Sequence, residues 1–96
     1  MEDLFKIALG LEDPWLVDSV ELVSHEGTVQ LHLHIGHQPR AKFQYEGALY
    51  SVYDHQERTW RHLNFFEHEC YLHARVPRVR TSDGHVLLVD VPWSSP

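Results

Sequence analysis

Val29-Gln30-Leu31-His32-Leu33-His34-Ile35 is the stretch that decides the fold. Its apolar residues fall on every second position. Successive side chains of a strand point to opposite faces, so Val29, Leu31, Leu33 and Ile35 define a buried face and Gln30, His32 and His34 a wet one. Just upstream, Ser24-His25-Glu26-Gly27 is a turn signal, and before it Val20 and Leu22 alternate with polar neighbours. The two runs and the turn predict an amphipathic β-hairpin. Downstream, Gly36 to Arg40 contains Pro39 and reads as a loop.

Further out, the period changes. Leu4, Ile7, Ala8 and Leu11 are spaced for one helical face, which Phe5 widens, and Glu2 and Asp3 suit a helix N-terminus. Gly10 and Pro14 end it, so a short helix is expected over Asp3 to Leu11. On the other side, strands are expected at Ala41–Tyr45, Leu49–Asp54, Glu69–Val76 and Val86–Val91. Pro77 interrupts the third of these and implies an edge or a bend. Ser82-Asp83-Gly84 is a turn, and the tail Pro92–Pro96 is polar apart from Trp93. The fold class is therefore α+β: a short N-terminal helix followed by a mainly antiparallel sheet of five to six strands.

The 96 residues suffice for one domain, 1–96, without internal repeat or linker. Three Trp, four Tyr and four Phe supply large side chains for a core that needs no crosslink. Cys70 is the sole cysteine, which excludes an internal disulfide and fits a reduced, cytoplasmic setting. The acidic start is unlike a signal peptide, and no run approaches the ~20 apolar residues that span a bilayer, so no membrane partner is expected. The net charge of -6 is uneven. Residues 1–30 hold seven acids against Lys6, whereas residues 31–96 balance seven acids with seven Lys or Arg and carry eight of the nine histidines. An anionic partner would meet the second part.

Three stretches carry a family likeness. They are Asp54-His55-Gln56-Glu57-Arg58-Thr59-Trp60-Arg61-His62-Leu63-Asn64, then Ala74-Arg75-Val76-Pro77-Arg78-Val79-Arg80, then Val91-Pro92-Trp93. In order and spacing they resemble the N-terminal zinc-finger domain of bacterial insertion-sequence transposases of the ISL-three type, whose pattern runs CPxCG, DHxxRxWRHL, RVPRVRCPxHGV and VPW. The opening Leu9-Gly10-Leu11-Glu12-Asp13-Pro14-Trp15 is similar to the start of that family as well. The resemblance implies a domain that helps to recognise the terminal repeats of an insertion sequence in duplex DNA. It precedes a helix-turn-helix segment and a catalytic core that this chain does not contain, so the chain is expected not to be an enzyme.

The chain departs from the pattern at the metal site. Structural zinc takes about four N or S ligands. Phe43 and Glu46 stand where the CxxC cysteines would be, Thr81 replaces the third cysteine, and His85 is displaced by one position. These degenerate ligand positions imply a zinc-ribbon-like region without metal and no cofactor, with Phe43 and Tyr45 filling the space by apolar contact. His32 and His34, with His37 nearby, admit two readings: a metal-binding pair, or a solvated strand face. His55, His62, His68 and His73 read as polar positions with hydrogen-bond partners. Cys70, among apolar neighbours, reads as a buried inert thiol. No GxSxG, phosphate loop or HExxH occurs.

Arg58, Arg61, His73, Arg75, Arg78 and Arg80 are the candidate nucleic-acid-binding residues. They could line a face that contacts DNA phosphates. They could equally pair across strands with Glu57, Glu67, Glu69 and Asp90. Two functions follow: a DNA-binding accessory domain of a transposase or a remnant of one, and a protein-interaction module that associates with itself or docks on a transposase core.

Overall fold

The alternation that begins at Val29 becomes a long strand at the heart of the molecule. The computed structural model describes residues 2–65 and 67–93. Helix α1 (Glu2–Leu9) is followed by strands β1 (Trp15–His25), β2 (Thr28–His37), β3 (Lys42–Tyr45), β4 (Ala48–Phe65), β5 (His68–Arg80) and β6 (Val86–Leu88). The sheet runs in the order β1-β2-β5-β4-β3, and β6 pairs with β5. All pairings are antiparallel except β2 with β5, which is parallel from Gln30↔Glu69 to Ile35↔Ala74. No helix among the described residues is long and apolar enough to cross a membrane.

One face of this sheet makes the core. Leu31, Leu33 and Ile35 of β2 meet Cys70, Leu72, Ala74 and Val76 of β5, all buried. Removing such apolar area from water contributes roughly 25 cal/mol per Å². Trp93 lies edge-on to both Trp15 (5.1 Å) and Trp60 (5.4 Å), joining the C-terminal segment to β1 and β4. Trp60 and Trp93 thus pack against the core, as their aromatic character suggests. The tail beyond Trp93 lies outside the described residues.

Three local expectations are corrected. The helix turns a different side inward: Phe5 is buried against Phe65 (5.3 Å), while Leu4 and Ile7 are exposed. Leu11 is buried, but it follows the helix and reaches the core from the next turn. β4 runs unbroken to Phe65, through the Asp54–Asn64 motif. Pro77 lies within the central strand β5 rather than at an edge of the sheet. β2 leaves β5 after Ala74 and β6 joins at Arg78, so the missing N–H falls between two partners and breaks no ladder. The Pro77 carbonyl still accepts from Val89 N–H at 3.0 Å.

Candidate nucleic-acid interface

The β4–β5 register sorts the six candidates. Glu57 faces Arg75, Thr59 faces His73 and Arg61 faces Tyr71, all on the face opposite the core. Arg58 pairs with Ala74 and shares the side of Trp60, so it points the other way from Arg61. Its guanidinium carbon lies 5.9 Å from the Trp60 ring centroid. The structure therefore does not gather the candidates into one continuous stripe.

Three of the six are occupied within the fold. The Arg61 guanidinium donates to the Cys70 carbonyl (3.2 Å), the His62 carbonyl and Asn64 Oδ1 (2.6 Å). It also lies 3.7 Å from Glu69 and over the Tyr71 ring. Arg78 grips Asp54 with both ends of its fork, Nε to Oδ1 at 2.6 Å and Nη2 to Oδ2. The Arg78 hydrogen bond holds the Asp54 carboxyl below its ordinary value of 3.8, and the carboxylate in turn raises Arg78. His73 belongs to a histidine network. Arg58, Arg75 and Arg80 are exposed and make no ion pair among the described residues. Arg75 lines a shallow cleft of about 400 Å³ with Asp18, His34, Glu57, Thr59 and His73. Asp18 sits in a β-bulge over Gly36, where any side chain would collide with its carboxylate.

The histidines of the wet face are bound to one another. His32 Nδ1 and His73 Nε2 are 2.7 Å apart. The ring planes differ by 15° and the centroids stand 5.0 Å apart, so the rings meet edge to edge as an N–H···N bond requires. His32 Nε2 reaches Gln30 Oε1 at 3.2 Å, and His73 Nδ1 reaches Thr59 Oγ1 at 3.1 Å. One proton arrangement satisfies the whole line: His32 donates to Gln30, His73 donates to His32, and Thr59 donates to His73. His34 donates to Glu21 at 2.6 Å, its ring 4.8 Å from that of His73.

A second pair joins His37 and His55, Nε2 to Nε2 at 3.0 Å, with ring planes 13° apart. His37 Nδ1 donates to the Gln38 carbonyl at 2.8 Å, so His55 supplies the shared proton. Burial lowers both His73 and His55 below the ordinary 6.5, and neighbouring positive charge adds to it, from His34 and His32 on His73 and from Arg75 and His37 on His55. The sequence places His32 and His34 together along one strand, but the histidine partners across strands are not legible in it, because 41 residues separate His32 from His73 and 18 separate His37 from His55.

The residues at the expected zinc-ligand positions have other places in the fold. Phe43 is buried, 5.4 Å from the Trp15 ring and 5.6 Å from His37. Tyr45, expected to help fill the space, is exposed at 40%. Glu46 and Gly47 form the β3–β4 turn, both with positive φ (47° and 84°), as a two-residue hairpin turn requires. Thr81 is buried, its hydroxyl on the Asp83 carboxylate, and its N–H donates to the His85 carbonyl at 2.8 Å. His85 is exposed and leans on Asp83. A phenyl ring, a committed hydroxyl and two exposed groups do not fit a tetrahedral zinc site. Among the described residues no group of three or more His, Cys, Asp or Glu is arranged to hold a metal ion. Burial raises the Cys70 thiol and keeps it protonated, as an inert core residue should be.

No curated protein and no solved structure matches the chain. Residues 47–83 match the family model described as the zinc-finger of transposase IS204/IS1001/IS1096/IS1165. The match runs from the β3–β4 turn to the β5–β6 turn and encloses all six candidate residues. The resemblance to the transposase zinc-finger domain is thereby borne out over residues 47–83.

Proposed function

We propose that this chain is a metal-free, non-catalytic DNA-binding accessory domain of a bacterial insertion-sequence transposase, or a remnant of one, working in the cytoplasm. The observation that carries the reading is the family match over the segment that holds Arg58, Arg75 and Arg80, whose guanidinium groups have no ion-pair partner among the described residues. Arg75 and Arg80 are the phosphate contacts, and Arg58 is a third from the other side of β4. Arg61 and Arg78 act on the fold instead, through Glu69, Asn64 and Asp54.

A salt titration of binding to duplex DNA, including the terminal repeats of an insertion sequence, tests this. Three neutralised phosphates give a slope of log affinity against log salt of about -2.7. Arg75→Ala and Arg80→Ala should each weaken binding and make the slope shallower by about 1. Arg78→Ala should act chiefly on stability, by releasing Asp54. Absence of binding at ~50 mM salt on every duplex would sink the DNA reading, since phosphate contacts are strongest there. One tightly bound zinc per chain by elemental analysis would sink the metal-free part.

A second reading, self-association or docking on a transposase core, is favoured by one feature. β1 is the terminal strand of the sheet, and Leu22, 67% exposed, sits on its outer half. Such an edge can add a further strand. A stable dimer in sedimentation that is indifferent to DNA would favour this reading over the first.

A further inference from the structure

We propose that the two imidazole pairs, His32–His73 and His37–His55, form an acid-released latch that fastens β2 to β5 and β4. This goes beyond the DNA reading and holds whether or not the chain binds DNA. The geometry carries it. Among the described residues β2 has no partner on its inner side other than β5, along Gln30–Ile35, and that parallel ladder ends at Ala74. The first pair sits on this ladder, and its hydrogen-bonded line continues to Thr59 of β4. The second pair lies beyond the end of the ladder. It joins the last residue of β2 to β4 at His55, whose register partner on β5 is Pro77. The two clamps therefore hold β2 at the middle and at the end of its contact.

An N–H···N bond between imidazoles needs one ring nitrogen to be a lone-pair acceptor. The neutral pair satisfies this. In the His32–His73 pair one added proton is tolerated, because Thr59 Oγ1 can turn from donor to acceptor at His73 Nδ1 and the shared bond survives. With both rings protonated, two N–H groups face each other and two positive charges stand side by side, so the pair must separate.

The charged surroundings are mixed. Around His32–His73 stand Asp18 and Glu21 of β1, His34 of β2, Glu69, Tyr71 and Arg75 of β5, and Glu57 and Arg61 of β4. Around His37–His55 stand Asp54 and Arg75, with Arg78 engaged on Asp54. Glu21 favours the proton on His73 and Asp54 that on His55, but burial first, and then His34 and His32 on His73 and Arg75 and His37 on His55, outweigh them. Folded-state values below 6.5 at His73 and His55 mean that the folded chain binds fewer protons than the unfolded one. Their contribution to stability is fully present above 6.5 and is lost as the pH falls from there through the lowered folded values.

Hydrogen exchange and imidazole nitrogen NMR on the whole chain, from pH 8 to pH 4.5, test the latch. At pH 8 the ring spectra should show the proton on Nε2 of His32, His73 and His55 and on Nδ1 of His37. As the pH falls below 6.5, protection factors of the amides in Leu31–Ile35 should drop severalfold before those between β4 and β5 at Trp60 and Leu72. His55→Gln and His73→Gln keep a neutral hydrogen-bonding group at every pH and should each flatten that drop. Should either variant fail to fold, the wild-type order of loss still decides. Simultaneous loss of protection in all strands would overturn the proposal. So would intact protection of β2 at pH 4.5 with all four rings protonated.

Discussion

The β3–β4 turn and the β5–β6 turn stand where the resemblance places the two halves of one zinc site, and they are held by opposite chemistry. The first has given its Phe43 to the core, against Trp15 and His37, and leaves Glu46 in solvent. The second is closed by polar bonds, from Thr81 to Asp83 and to the His85 carbonyl. Zinc binding can contribute about 10–16 kcal/mol to folding a small domain. A buried Phe contributes about 1.5–3 kcal/mol, and each polar bond about 0.5–1.5 kcal/mol. Neither turn alone contributes as much as a zinc site would. Beside them stands the wider core under β2 and β5, where Leu33, Cys70, Leu72 and Val76 are almost fully buried.

The largest effect should follow from breaking the apolar half. Phe43→Ala removes a buried ring from beside Trp15 and leaves a cavity, at a cost of about 3–5 kcal/mol in urea unfolding. Phe43→Leu should restore most of it. Phe43→Cys should behave more like the alanine variant and gain nothing from added zinc, because Glu46 and Thr81 remain non-thiolate. If Phe43→Ala were neutral, the first turn would have to be held by its hairpin alone.

The polar half should respond less to truncation and more to acid. Thr81→Ala removes a hydroxyl that joins Asp83, while the Thr81 N–H bond to the His85 carbonyl survives, so the expected loss is about 1 kcal/mol. The Thr81 hydroxyl first, and then the His85 N–H, hold the Asp83 carboxyl below its ordinary 3.8. A carboxyl lowered in the folded state contributes stability above 3.8 that is lost as the pH falls through the lowered value. Between pH 5 and pH 2, Asp83→Asn should remove part of the acid sensitivity measured by denaturant unfolding. Phe43→Ala should leave that sensitivity in place.

How much of this was legible in the sequence differs along the chain for physical reasons. The Val29–Ile35 alternation is a local signal, and Leu31, Leu33 and Ile35 are buried as it demands. Asp54 to Thr59 lacks apolar residues, and its strand character comes from pairing with β5, which no local pattern records. Leu4 and Ile7 share helical spacing with Ala8, but Phe5 buries more area per residue and takes the inner side together with Leu9. Of the candidate site, the exposed arginines Arg58, Arg75 and Arg80 could be named from the sequence. That Arg61 and Arg78 are committed to Glu69 and Asp54 depends on register. So do the histidine pairs.

The smallest effect sharpens the comparison at the tip of the first turn. Glu46 occupies the left-handed region at φ 47° and is followed by Gly47 at φ 84°. A two-residue turn of this kind favours Asn-Gly, because Asn tolerates positive φ better than residues with longer side chains. Glu46 is exposed and lies where the sequence resemblance would place a zinc ligand. Glu46→Asn should therefore stabilise the domain by about 0.5 kcal/mol without touching the core, read as a higher urea midpoint at unchanged slope. A destabilisation would mean that the Glu46 carboxylate holds the turn. The first turn would then resemble the second, and the division between an apolar and a polar half would fail.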